Sequence, residues 1–319
     1  MIKDFFNKHW IIKKNIIVAF SWWSDSVYLL KEILKFKEKD TIIVWHFNHN
    51  LRNEESKRDE KFVIDFCKKN NLKCEIWEAD IKKISEKKKI WIEEAARIER
   101  YVFLRWLKEK YQASYILTAH HIDDKVETFI LNLIRWSKLK WLISIEEKNN
   151  DLLRPILNVN KNEILENLKN EKIDYMNDSS NLDDSYLRNH IRLNIAPNFW
   201  KINPQYQKTL NSLMWYFWEL KWFLDDMIES EVKTIENDSD NKENDLFKNF
   251  IEIDSFQNKS GFIKKELVRY IFEMTNNWTI WLTKSNIDEV IRFIWDRWNY
   301  TKKDIKNMKL FKKNWKIYF

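Results

Sequence analysis

Apolar positions along the chain fall into short runs that alternate with stretches of helical spacing. Residues 16–20 form a compact apolar run that predicts a buried strand. Residues 24–35 then place Val27, Leu30 and Leu34 at helical intervals. The alternation repeats: β-branched strands at 41–47, 72–76 and 115–119, and amphipathic helices at 58–70, 93–110 and 123–135. Strand and helix in turn predict an α/β fold, a parallel, Rossmann-like sheet with helices on both faces. After about Asn198 the pattern changes. Residues 205–231 are helical and aromatic, 236–249 are a polar loop, and 264–274 and 286–295 are further helices. Residues 308–319 read as a terminal hairpin, provided that position 315 behaves as glycine. Two domains are expected, 1–200 and a smaller, mostly helical 201–319, with no internal repeat.

Composition sharpens this picture. Hydrophobic residues make up 44% and charged residues 33% of the 319 positions, the balance of a soluble globular chain. Lys13 and Lys14 split the longest apolar stretch, so none is long enough to span a bilayer. The N-terminus lacks the features of a secretory signal, so the expected location is cytoplasmic. Cys67 and Cys74 are too few and wrongly spaced for a metal site, and are expected to be reduced thiols. The net charge of +7 is compatible with a polyanionic partner, and residues 301–319 carry seven lysines against one acid, Asp304.

One feature of the composition is abnormal. The chain has 1 Gly and 18 Trp, where average usage predicts roughly 22 glycines. Tryptophans stand where glycine is the expected residue: Asn277-Trp278 and Asn314-Trp315 occupy hairpin-turn positions, and Trp22-Trp23 lies between a strand and a helix. The reading that accounts for this is a source that decodes UGA as glycine, its gene having been translated with a table in which UGA means tryptophan. TGG codons at positions 22 and 23 would end that reading.

Candidate chemistry begins at residues 16–26, IIVAFSWWSDS, where a strand runs into a tight loop and then a Ser/Asp-capped helix. Free N–H groups and the helix dipole make such a junction a phosphate site. With glycine at Trp22 and Trp23, it resembles the SGGxDS loop of the N-type ATP pyrophosphatases, the PP-loop proteins. The resemblance implies an ATP cradle built from Ser21, Trp22, Trp23, Ser24, Asp25 and Ser26, with Asp25 holding Mg²⁺. With literal tryptophans, two indoles would fill the cradle and no ATP binding is expected.

Further segments resemble the tRNA(Ile)-lysidine synthetases in order and spacing. Residues 46–52 (HFNHNLR) look like their HxxHxLR motif, 91–101 (WIEEAARIERY) like GxEEAARxxRY, and 118–128 (TAHHIDDKVET) like AHHxDDQxET. Residues 133–142 (LIRWSKLKWL) follow their LLRGSGLxGL run, 153–157 (LRPIL) their RPLL segment, and 178–181 (DSSN) with 188–192 (RNHIR) their DxSN and RNxIR pair. Together these cover residues 16–204 densely. Lys125 stands where the family has Gln, which puts that side chain's contacts in doubt.

The helical stripe of Val126, Phe129, Ile130, Leu133 and Ile134 leaves Asp124, Glu127 and Thr128 on the opposite side, either lining a cleft at the strand ends or as a solvated acidic face. The resemblance favours the cleft, with Asp124 and Glu127 holding the lysine ammonium and taking its proton. Arg97, Arg100 and Tyr101 share one helical face. The arginines are placed to bind a phosphate or the lysine carboxylate, although Arg97 could equally pair with Glu93 or Glu94. Arg188 and Arg192 share another face and are assigned to ATP or the tRNA backbone. His46, His49, His120 and His121 are given structural and hydrogen-bonding roles, not zinc.

What the resemblance implies is a two-step reaction. The O2 atom of the wobble cytidine of the CAU-anticodon isoleucine tRNA attacks the α-phosphate of ATP, and pyrophosphate leaves. The ε-amine of free L-lysine then attacks C2, and AMP leaves. Asp25, Asp124, Glu127 and Arg97 are the expected catalytic residues, ATP and Mg²⁺ the cofactors. The helical domain would grip the tRNA. Nothing in the sequence sets the oligomeric state, a homodimer being one option. Two alternatives remain: a tRNA-binding protein with an inactive loop, if the indoles at 22 and 23 are real, and another tRNA-modifying enzyme of the same group, such as a thiolase. The iron–sulfur thiolases need cysteines that this chain lacks.

Overall fold

The computed structural model describes residues 2–21, 23–48, 54–135, 139–176, 187–234, 247–275, 282–296 and 301–319. Several expected features lie outside these residues: Trp22, residues 49–52, 136–138 and 178–181, the turn at Asn277-Trp278 and most of the loop at 236–249. The side chain of Arg97 is also outside the description. Two compact units are present, Met1–Phe217 and Trp218–Phe319.

The first unit is built on a six-stranded sheet. Helix α1 (Ile2–Lys8) leads to β1 (Ile16–Ala19), α2 (Ser24–Leu34), β2 (Ile42–Asn48), α3 (Glu54–Asn70) and β3 (Lys73–Glu78). Then come α4 (Ile81–Lys88), α5 (Ile92–Lys110), β4 (Tyr115–Leu117), α6 (Ile122–Ile134), α7 (Leu139–Leu142), β5 (Lys148–Asn149), β6 (Leu152–Leu153) and α8 (Lys161–Asn170). The strand order is β3-β2-β1-β4-β6-β5. All neighbours pair in parallel except β5, the antiparallel edge strand. Alternation along β1 explains the continuous apolar run. Ile16 and Val18 pack into a core with α1, α2, α3 and α8, while Ile17 faces Phe103, Leu104 and Leu107 of α5. The chain order reverses its direction of travel across the sheet at β1 and β4, so the ends of these strands form a crevice suited to a ligand.

The unit closes with α9 (Leu187–His190), a π-helical turn over Ile191–Ile195, α10 (Ala196–Ile202) and the first part of α11 (Tyr206–Glu229). Ile122, Val126, Phe129 and Ile130 of α6 pack against Ile191 and Met214. The apolar stripe expected on α6 stops there. Leu133 is 54% and Ile134 68% exposed, because the helix outruns the core that its first three turns cover.

The second unit keeps the two expected helices, α13 (Gly261–Thr275) and α14 (Lys284–Trp295), and adds a short one, α12 (Ile253–Asn258). They accompany a five-stranded antiparallel sheet, β7 (Lys233–Thr234), β8 (Asn249–Glu252), β9 (Thr301–Ile305), β10 (Met308–Lys313) and β11 (Lys316–Tyr318). The expected terminal hairpin is β10–β11, in which Phe311 pairs with Tyr318 and Lys313 with Lys316.

The backbone carries a clear signal at two tryptophans. Asn314 (φ 49°) and Trp315 (φ 59°) both lie in the left-handed region, as a two-residue type I′ hairpin turn requires. Trp10 (φ 55°) follows α1, with Ile11 N–H donating to the Phe6 carbonyl and Trp10 N–H to that of Asn7. That is the Schellman helix end, whose left-handed residue is usually glycine. Of the thirteen described tryptophans, twelve are exposed and only Trp45 is buried. This inverts the usual fate of the largest apolar side chain.

Candidate functional site

The loop after β1 is closed by its own serines. Ser21 N–H donates to Ser26 Oγ at 3.2 Å, the two hydroxyls lie 3.3 Å apart, and Ser26 Oγ donates to the Trp23 carbonyl at 3.0 Å. Ser24 and Ser26 are buried at the start of α2. Trp23 is an extended N-cap (φ −76°, ψ 156°) without a side-chain cap, so the first N–H groups of α2 are left for another acceptor.

Asp25 stands at the first turn of α2 and meets groups from two other elements. Lys161 Nζ, from the start of α8, lies 2.6 Å from Asp25 Oδ1 and 2.7 Å from Ser24 Oγ. His121 Nε2, just before α6, lies 3.6 Å from Asp25 Oδ2. Burial opposes ionisation of Asp25, but the neighbouring His121 imidazolium and the Lys161 ammonium outweigh it and bring the carboxyl down to about 2.

His121 is buried among three carboxylates. Its Nδ1 is 3.1 Å from Asp123 Oδ2, and its Nε2 is 3.5 Å from Asp124 Oδ2 and close to Asp25. Burial favours the neutral ring, yet the carboxylates of Asp123 and Asp25 prevail and raise it to about 10, so it is a cation at neutral pH. Its neighbour His120, half-buried and bonded to Thr118 Oγ1 at 2.8 Å, is pushed down to about 4, because desolvation outweighs the pull of Asp124. Asp124 also caps α6 by accepting the His121 N–H at 3.0 Å.

Glu127 lies one turn further along α6 and is only 3% exposed. Arg192, in the π-helical turn, clamps it through Nε at 2.7 Å and a second nitrogen at 3.2 Å, and approaches Asp124 at 3.7 Å. Burial raises the Glu127 carboxyl above its ordinary range despite the arginine. Beside this pair is a cleft of about 350 Å³, within the range of small-molecule sites, bounded by Asp123, Glu127, Lys161, Arg192, Tyr206 and Gln207.

Asp25, Asp124, Glu127 and Arg192, all expected from the sequence, are thus brought together. Arg188 is exposed on α9 and Arg100 exposed on α5, and neither makes a contact with the loop that the structure describes. Sequence reasoning missed Asp123, Lys161 and Gln207. Asp123 receives the Lys161 backbone N–H at 3.1 Å and the Gln207 amide at 2.5 Å. The only sequence signal for Lys161 is the Asn160 helix cap that follows the LRPIL segment; Asn160 accepts the Glu163 N–H at 2.8 Å. Lys125 donates to Asn211 Oδ1 at 2.7 Å and joins α6 to α11 rather than entering the cleft.

No group of three metal-ligating side chains exists among the described residues. A lone carboxylate still fits Mg²⁺, which is commonly held by one or two carboxylates plus the phosphates of a nucleotide. Asp25 is the residue of the loop that could hold it.

Fold and site together define an α/β protein with a phosphate-binding loop at the switch point of a parallel sheet. Residues 1–199 match the family described as PP-loop domain, and the chain belongs to that family. It is 39% identical over 195 residues to the tRNA(Ile)-lysidine synthase of Bacteroides thetaiotaomicron, covering 61% of this chain and 45% of that protein. It is 32% identical over 282 residues to that of Clostridium perfringens, covering 86% and 58%. The chain therefore spans about half the length of the curated relatives it matches. Among solved structures, the U34-tRNA thiolase NcsA from Methanococcus maripaludis shares the fold, with TM-score 0.52, 17% identity and coverage of 66% of this chain and 74% of that one.

Proposed function

We propose that the chain ligates free lysine to C2 of the wobble cytidine of the CAU-anticodon isoleucine tRNA, consuming ATP through an adenylated cytidine and releasing AMP and pyrophosphate. The observation that carries this reading is that His121 brings a phosphate-loop carboxylate, Asp25, together with the half-buried Asp124, one turn before the buried Glu127 that lines a small cleft. The relatives named tRNA(Ile)-lysidine synthase support it.

In this reading the loop residues 21–26 cradle the triphosphate, and Mg²⁺ held at Asp25 supplies charge neutralisation at the phosphates. Asp124 and Glu127 bind the lysine ammonium and accept its proton as the amine attacks. Burial raises the Glu127 carboxyl and so makes it the stronger base of its kind. Arg192 occupies the place of that ammonium and exchanges to phosphate or carboxylate when lysine enters. Arg97 and Arg100 serve a phosphate or the lysine carboxylate, and Arg188 serves ATP or the tRNA backbone. A tRNA substrate places the work in the cytoplasm. We also infer that residues 10, 22, 23, 91 and 315 are glycine in the native protein, because the loop must let phosphate approach the backbone and because two of these positions are left-handed.

The test is direct. The glycine form of the chain, incubated with ATP, Mg²⁺, labelled lysine and the cognate tRNA, is expected to transfer label to the RNA. Absence of label, with ATP and tRNA both bound, would discard the ligase reading. If peptide mass spectrometry of the native protein finds tryptophan at 22 and 23, the inactive-loop reading replaces it.

A further inference from the structure

We propose that Lys161 is the residue that grips the outer phosphates of the nucleotide and holds the pyrophosphate as it departs. The proposal rests on the reading of residues 21–26 as an ATP phosphate loop and assigns the cation that completes it.

Lys161 is fixed from three sides. It is the first residue of α8, behind the Asn160 cap, and its backbone N–H donates to Asp123. Its side chain reaches across 136 residues of sequence to Asp25 and 137 to Ser24, at the opening turn of α2. The ammonium therefore sits where the N-terminal ends of two helices converge. Each end carries a partial positive charge, and a cation placed there is unfavourable unless anions accompany it. Asp25 and Asp123 offset part of that charge. A polyphosphate would offset the rest, and its oxygens would meet the ammonium, the serine hydroxyls and the open N–H groups of α2 together.

Exposure points the same way. The Lys161 side chain is 36% exposed and lines the cleft that also holds Glu127 and Arg192. A lysine serving only as a brace for Asp25 has no need to face that space. In the first chemical step the bond from cytidine O2 to the α-phosphorus forms, the bond from that phosphorus to the bridging oxygen breaks, and the electron pair leaves with pyrophosphate. The charge gained by the departing group falls on the β- and γ-phosphates, which Lys161 would hold.

The experiment compares binding of ATP, AMP and inorganic pyrophosphate to the glycine form and its Lys161→Met, Lys161→Gln and Lys161→Arg variants. The melting temperature of each is read alongside. Lys161→Met is expected to weaken ATP and pyrophosphate by about 10- to 100-fold, the worth of a charge-assisted hydrogen bond, and to leave AMP unchanged. Lys161→Gln keeps a donor for Asp25 and Ser24 but no charge, so it should fold normally and bind pyrophosphate as weakly as the Met variant. Lys161→Arg should recover most of the affinity. Equal weakening of all three ligands, or unchanged pyrophosphate binding in the folded Gln variant, overturns the proposal while leaving the ATP reading intact. If the glycine form with Lys161 intact binds neither ATP nor pyrophosphate, both fall.

Discussion

At the scale of single residues, His121 is the pivot of the site. Its folded value of about 10 lies above the ordinary 6.5, so the imidazolium stabilises the fold fully below pH 6.5, and that contribution is lost as pH rises towards 10. Chemical denaturation across this window is expected to show a stability decline that disappears in His121→Gln, and imidazole NMR shifts should find the ring protonated at pH 8. The acid pair predicts a different phenotype. Glu127→Gln and Asp124→Asn should each bind ATP normally but slow lysine transfer by about 10²- to 10⁴-fold, the usual worth of a positioned base. Normal transfer by either would remove it from the proton path. Asp25 and this pair were legible in the sequence because they sit inside contiguous motifs. Lys161 was not, since the contact that defines it depends on the order of strands in the sheet and leaves no local pattern.

At the scale of elements, the alternation of strand and helix was readable because a sheet covered on both faces forces continuous apolar runs such as 16–18. Short pieces were not. Strands β5 and β6 have two residues each, too few to show a period. Helix α6 misled in the other direction: its spacing predicts an apolar stripe to Ile134, but Leu133 and Ile134 are exposed and packing ends at Leu131. The polar joint between α6 and α11 is equally silent in sequence. Lys125 is buried, and its ammonium is depressed by that burial and bonded to Asn211. Replacing Asn211 by Leu should cost about 1–3 kcal/mol in denaturation, the penalty for a buried donor left without its acceptor. Lys125→Gln, the residue of the related family, should change stability by much less. Lys37 plays a similar part beneath β1, donating to the carbonyls of Ile12 and Lys14 at 2.8 and 2.7 Å and tying α2 to the strand that feeds the loop.

At the scale of the whole molecule, the net charge of +7 and the lysine-rich β9–β11 segment predict that the tRNA substrate proposed above would be held largely through its backbone. Affinity should then fall at least about tenfold between roughly 50 and 200 mM salt, whereas a flat response would remove the electrostatic grip. The anomaly in composition acts across the entire chain too. Placing glycine at the left-handed Trp315 should stabilise the chain by about 1–2 kcal/mol, the cost of a side chain in that conformation. The same change at Trp10 should do likewise. The helix end at Trp10 reaches beyond stability. If its codon is UGA, a ribosome that treats that triplet as a full stop would release the chain before the first strand had been made, so this gene could pass into a foreign cell and still yield no folded domain there.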